Sequence, residues 1–104
     1  MASSATGWMT DERVEPRDAV HHRTRAVHPD GRQLPIVIVN TSQSGLMARC
    51  DAPCEEGDRL RIDLPLIGQA VAEVRWALGG RLGCRLERVL GLAEYYTLLS
   101  GMRR

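Results

Sequence analysis

Arg59-Leu60-Arg61-Ile62-Asp63-Leu64 alternates polar and apolar residues without a break. Side chains on a β-strand point to opposite faces in turn, so such a run lays an apolar face on a core and a charged face in water. The pattern recurs downstream. From Ala70 to Ala77, Val71, Glu73 and Arg75 fall on one side and Ala72, Val74 and Trp76 on the other. Gly79-Gly80 reads as a tight turn. Beyond it Leu82, Cys84 and Leu86 alternate with Gly83, Arg85 and Glu87.

Upstream, the β-branched cluster Ile36-Val37-Ile38-Val39 marks a largely buried strand over Gln33 to Asn40. Pro35 stands near its start, where a missing N–H donor does least harm. Asp18 to His28 carries a weaker two-residue alternation that ends at the turn Pro29-Asp30-Gly31. Thr41 to Gly45 is a polar turn, and a short strand from Leu46 to Cys50 follows it. Asp51-Ala52-Pro53 and Glu55-Glu56-Gly57 mark the next loop, and Pro65 to Gly68 turns the chain again. At the far end Leu92, Tyr95, Tyr96 and Leu99 recur at helical spacing, with Gly101 placed where a helix would stop. Six short strands followed by one helix predict a small antiparallel barrel or sandwich with a helical cap.

At 104 residues there is room for one such domain. Residues 1–12 are small, polar and without period, and are expected to form a flexible tail before a domain spanning residues 13–104. The first residues lack the apolar core of a secretory signal, and no apolar run approaches the ~20 residues a membrane span needs. The expected setting is therefore cytoplasmic, with Cys50, Cys54 and Cys84 reduced. A formal net charge of +1 gives no sign of a nucleic-acid-binding surface. All 14 basic residues are arginine, which codon bias in a GC-rich genome explains, so only particular positions bear on function.

Two local patterns stand out. Arg13-Val14-Glu15-Pro16-Arg17 sets two arginines four positions apart just before the first strand. Asn40-Thr41-Ser42-Gln43-Ser44-Gly45 leaves the strongest strand. Together they resemble the PilZ family, whose signature is R-x-x-x-R followed some 20–30 residues later by [D/N]-x-S-x-x-G. The resemblance runs from about residue 13 to residue 101 and takes in the Pro53 to Asp58 loop, the V-x-W strand and the G-C-R-L-E strand. It implies a six-stranded antiparallel β-barrel with a C-terminal helix, and a receptor for the bacterial second messenger cyclic di-GMP. By resemblance Arg13, Arg17, Asn40, Ser42 and Gly45 are the ligand-binding positions.

The chemistry of those residue types agrees. Arginine grips a phosphate through two parallel charge-assisted hydrogen bonds, pairs with guanine O6 and N7, and stacks on a purine face. Asn40 offers an acceptor and a donor to a guanine edge, and Ser42 a hydroxyl to phosphate or base. Gly45 permits positive φ and a close backbone approach to the ligand. The sequence departs from the family where Asn40 replaces the frequent aspartate, where Arg13 lacks an adjacent second arginine, and where Glu15 brings a negative charge to the clamp. These departures point to weaker binding.

Other chemistries find little support. Ser42 has no recognisable base, and no phosphate-binding loop, dinucleotide fingerprint or H-E-x-x-H motif is present, so no enzyme and no catalytic residue is expected. His21, His22, His28, Cys50 and Cys54 do not form a zinc spacing, and no metal or cofactor is expected. Tyr95 and Tyr96 are adjacent and cannot both face the core fully, which leaves apolar surface for a partner or a second copy. The sequence thus predicts a cyclic di-GMP receptor, monomeric or weakly dimeric, in which ligand orders the arginine leader and presents a surface to a downstream protein. The alternative is a PilZ-like adaptor that binds protein and no nucleotide.

Overall fold

Alternating and β-branched runs become the six strands: β1 (Asp18–Val27), β2 (Gln33–Thr41), β3 (Gly45–Arg49), β4 (Arg59–Leu64), β5 (Gly68–Leu78) and β6 (Arg81–Leu86). One helix, α1 (Leu92–Met102), follows. The computed structural model describes residues 15–102; the tail expected over residues 1–12 and Arg13 lie outside the described residues. All strand pairings are antiparallel, and the order β1-β2-β3-β6-β5-β4 closes on itself. Of the barrel and the sandwich that the strand pattern allows, the molecule is the barrel, closed by a short β1–β4 seam at Ala26 and Val27. Among the described residues no helix is long and apolar enough to cross a membrane.

Strand alternation sorts the side chains as the sequence predicts on β4, where Leu60, Ile62 and Leu64 are buried and Arg59, Arg61 and Asp63 exposed. Ile36 and Ile38 of β2, Val74 of β5 and Leu82 and Leu86 of β6 complete the barrel interior. Cys50 and Cys84 are buried with them as small core residues.

The helix stripe is displaced from its expected position. Tyr95, Leu98, Leu99 and Met102 are buried, whereas Leu92 and Tyr96 face water. The buried set has i, i+3, i+4, i+7 spacing, so α1 lays one stripe across the end of the barrel. Gly101 does not stop the helix but lies in its last described turn. A Cβ there would come within 2.8 Å of the Pro65 Cβ, so glycine lets the helix press against the β4–β5 turn.

Tyr95 ties the cap to the barrel. Its hydroxyl lies 2.6 Å from Asp18 Oδ2 and 2.9 Å from the Thr41 carbonyl oxygen, at the start of β1 and the end of β2. At the opposite end His28 holds the loop between β3 and β4. The Asp30 N–H donates to its Nδ1 (3.1 Å), which leaves Nε2 to donate to Asp58 Oδ2 at 2.8 Å. Asp58 also accepts the Glu55 N–H at 2.9 Å. The Glu55 backbone bond, followed by the His28 bond, holds the Asp58 carboxyl below its ordinary range.

Two outcomes follow from these ties. Tyr95→Phe should cost about 1–2 kcal/mol in urea unfolding, because the one O–H proton shared between the Asp18 carboxylate and the buried Thr41 carbonyl is lost. Asp58 has a lowered folded pKa, so its stabilisation is present above the unfolded carboxylate value near ~4 and is lost as pH falls through the folded one. Asp58→Asn should therefore narrow the stability difference between pH 6 and pH 3 in unfolding curves, and an unchanged difference would remove Asp58 from the acid limb.

Candidate functional site

A row of cross-strand partners runs over the outside of the barrel: Asn40 on β2, Met47 on β3, Gly83 on β6 and Trp76 on β5. Each end of the row is set by a β-bulge. The register shifts between Ile38 and Asn40, which makes Val39 the extra residue on β2, and between Val74 and Trp76, which makes Arg75 the extra residue on β5. A bulge adds one residue to one strand and re-aims the side chain after it.

Trp76 is where this matters most. Unbroken alternation puts it on the inner face with Val74, but the bulge at Arg75 turns it outward, where it is 42% exposed. The indole lies over Gly83, so closely that a Cβ on that glycine would collide with its Nε1 and Cε2 atoms. A glycine in mid-strand, normally a weak point, here makes the seat for the ring.

At the other end the leader meets the turn. Arg17 Nη1 donates to Asn40 Oδ1 at 3.0 Å, and the Ser44 hydroxyl donates to Glu15 Oε1 at 2.5 Å. The turn is fixed by its own bonds. The Ser42 N–H and the Thr41 hydroxyl both donate to the Gly45 carbonyl, at 2.9 and 3.1 Å. The Leu86 N–H donates to Ser44 O at 2.7 Å, and the Gln43 side chain donates to Leu90 O at 3.0 Å. A turn locked on both sides presents its polar groups in a preset arrangement.

Between leader, turn and indole lies a groove of about 380 Å³. Arg17, Asn40, Ser42 and Gly45, four of the positions singled out from the sequence, line it together. Arg13 lies outside the described residues. Gly45 plays a different part from the one expected. Its φ is not positive, and glycine is required because a Cβ would stand 2.6 Å from the Cys84 carbonyl oxygen across the β3–β6 pairing. The close approach is strand to strand.

Ser42 is only 1% exposed, and its hydroxyl has no hydrogen-bond partner among the described residues. A buried hydroxyl without a partner is costly, and such groups mark places where something else binds. Arg75 and Arg85 also line the groove without an ion-pair or hydrogen-bond partner among the described residues, and no acidic residue lines it. Three arginines, a buried hydroxyl, an amide and a half-exposed indole thus converge, a combination suited to an anion that carries aromatic rings.

Arg75, Trp76, Arg85 and Ser44 were not among the sequence candidates. Arg85 could have been found from strand pairing, since it stands opposite Gly45. Trp76 could not, because a bulge leaves no mark in the alternation. His21, His22, Cys50 and Cys54 do not assemble; among the described residues no group of three His, Cys, Asp or Glu has metal-binding geometry. Burial pushes the Cys54 thiol up to about 11 and the Cys84 thiol to about 12, so both keep their protons.

The seating of Trp76 can be read directly. In a Trp8→Phe background, Gly83→Ala should displace the indole, shift its emission to the red and cost about 1–3 kcal/mol in stability. Unchanged emission would mean that the ring does not rest on Gly83.

The PilZ domain family model matches residues 11–97, a span that takes in the arginine leader, all six strands and the first half of α1. Comparison with curated proteins returned no match. Two lines of observation agree: the closed six-stranded barrel capped by a C-terminal helix, and the match over most of its length. The chain belongs to the PilZ domain family.

Proposed function

We propose that the domain is a cyclic di-GMP receptor, with the nucleotide held between the Arg17 leader, the Asn40–Gly45 turn and Trp76. The observation that carries this reading is the buried Ser42 hydroxyl, which has no partner among the described residues, in a groove lined by Arg17, Arg75 and Arg85 and, among the described residues, by no carboxylate. Membership of a family of cyclic di-GMP receptor domains supports it.

In this reading the guanidinium of Arg17 exchanges its Asn40 partner for a ligand phosphate, a stronger, charge-assisted bond. Asn40 is then free to meet a guanine edge. Arg75 and Arg85 supply the opposing charge, and a purine stacks on the open face of the Trp76 indole. Glu15 works against the ligand in two ways: its carboxylate repels phosphate, and its bond to Ser44 holds the leader against the turn. Binding therefore releases one set of leader contacts and makes another, so a surface near residues 15–17 changes with ligand. Nothing in this sequence of contacts breaks or forms a covalent bond, which is the behaviour of a receptor.

Calorimetric titration of cyclic di-GMP tests the reading. The wild-type domain should bind saturably, and Arg17→Ala should lose roughly 10- to 100-fold, the ~1.5–3 kcal/mol of a charged hydrogen bond. Trp76→Ala should lose a comparable amount through stacking, about 1–3 kcal/mol. Glu15→Gln should bind a few-fold more tightly. No heat at high protein concentration, or equal binding by wild type and Arg17→Ala, would defeat the proposal.

A further inference from the structure

A second row of partners lies one step along the strands from the groove, nearer the opposite end of the barrel. Arg23 on β1 pairs with Val37 on β2, Val37 with Arg49 on β3, Arg49 with Arg81 on β6, and Arg81 with Leu78 on β5. All five side chains sit on the outer face. Leu78 is 78% exposed, Val37 half-buried, and the three arginines exposed. With strands ~4.8 Å apart, the row is about 19 Å long.

The arginines are the unusual part. Arg49 and Arg81 stand directly opposite one another, an arrangement that destabilises a sheet. Arg23, Arg49 and Arg81 have no ion-pair or hydrogen-bond partner among the described residues. Arg23 and Arg49 line a common depression of about 430 Å³ with Val37 and Pro35 on its floor. Asp51 lines it too, and among the described residues it forms no ion pair within 4 Å with either arginine. Among the described residues no ion pair or side-chain hydrogen bond offsets this like-charge repulsion.

We infer that this row is a docking face for an acidic, partly apolar segment of a protein partner, laid across β1, β2, β3, β6 and the end of β5. Arginine takes a carboxylate through two parallel bonds and is enriched where proteins meet, and Val37 and Leu78 supply the apolar contact that surrounds such pairs. Three charges are too few for other polyanions. A duplex bound through its backbone engages about 6–10 phosphates, and a membrane-binding basic cluster holds about 4–8 Lys or Arg. The face does not depend on the nucleotide reading of the groove, although Arg49 and Arg81 lie two residues along the chain from Met47 and Gly83 of the groove row.

The test uses the full chain without nucleotide and a fluorescein-labelled twelve-residue peptide of Glu, Asp and Leu. The comparison probes are the same peptide with Gln and Asn for the acids, a 20-base-pair DNA duplex, and vesicles containing phosphatidylserine. Saturable binding of the acidic peptide is expected, weakened at least tenfold in Arg49→Ala/Arg81→Ala. Arg59→Ala/Arg61→Ala, on β4 across the barrel from β3, should leave it within twofold. Arg81→Glu separates folding from docking: it should raise the melting temperature by roughly 2–5 °C by giving Arg49 an opposite charge, while binding is lost. The inference is overturned by no saturable peptide binding, by equal loss in both double variants, or by tighter binding to duplex or vesicles. It is also overturned if the wild type self-associates in sedimentation and Arg49→Ala/Arg81→Ala does not, since the occupant is then a second copy.

Discussion

The seam between β3 and β6 is the constraint on which the rest of the molecule rests. β1, β2 and β3 form one meander and β4, β5 and β6 another, and two seams join them into a barrel. The β3–β6 seam carries five register pairs and the β1–β4 seam two, so closure depends chiefly on the first. It opens at Gly45, where the absence of a Cβ lets β3 come down on the Cys84 carbonyl. It passes through Gly83, where the same absence makes room for an indole. By alternation Gly45 and Gly83 both fall on the outer face with Met47 and Arg49, and neither position has room for a Cβ, because a backbone carbonyl fills the space at Gly45 and an indole fills it at Gly83.

The groove is a consequence of that closure. Because β3 and β6 are neighbours, the turn leaving β2 and the bulge on β5 are brought to either side of a two-strand floor. The bulges at Val39 and Arg75 sharpen the local twist and aim Asn40 and Trp76 towards that floor. Tyr95 then fixes the barrel end beside the leader, since one hydroxyl touches both the first residue of β1 and the last of β2. Cap, leader and turn therefore share a hydrogen-bonded corner.

Local stability has been given up at several points on this surface. Ser42 buries a hydroxyl that has no partner among the described residues, Arg49 faces Arg81, and Trp76 leaves the core for the surface. Departures from local consistency concentrate where a protein does something besides fold. Here they fall on two adjacent rows of one outer face, while β4, across the barrel, keeps a plain alternation with Arg59 bridged to Glu87.

The sequence by itself determined the elements and the family. Period-two patterning on β4 and β6 and the β-branched run on β2 were legible because burial of one strand face needs no knowledge of the neighbouring strand. The R-x-x-x-R leader and the Asn40–Gly45 turn were legible because a family signature is a linear pattern, although Arg13 lies outside the described residues. Tertiary structure alone decided which way Trp76 points, since one extra residue reverses the phase of everything after it and only the register against β6 reveals it. It alone decided why Gly45 is glycine, because the Cys84 carbonyl that excludes a Cβ is 39 residues away along the chain, at |45 − 84|. The same holds for the arginine row: Arg23, Arg49 and Arg81 are scattered in sequence and become neighbours only when a closed barrel sets their strands side by side.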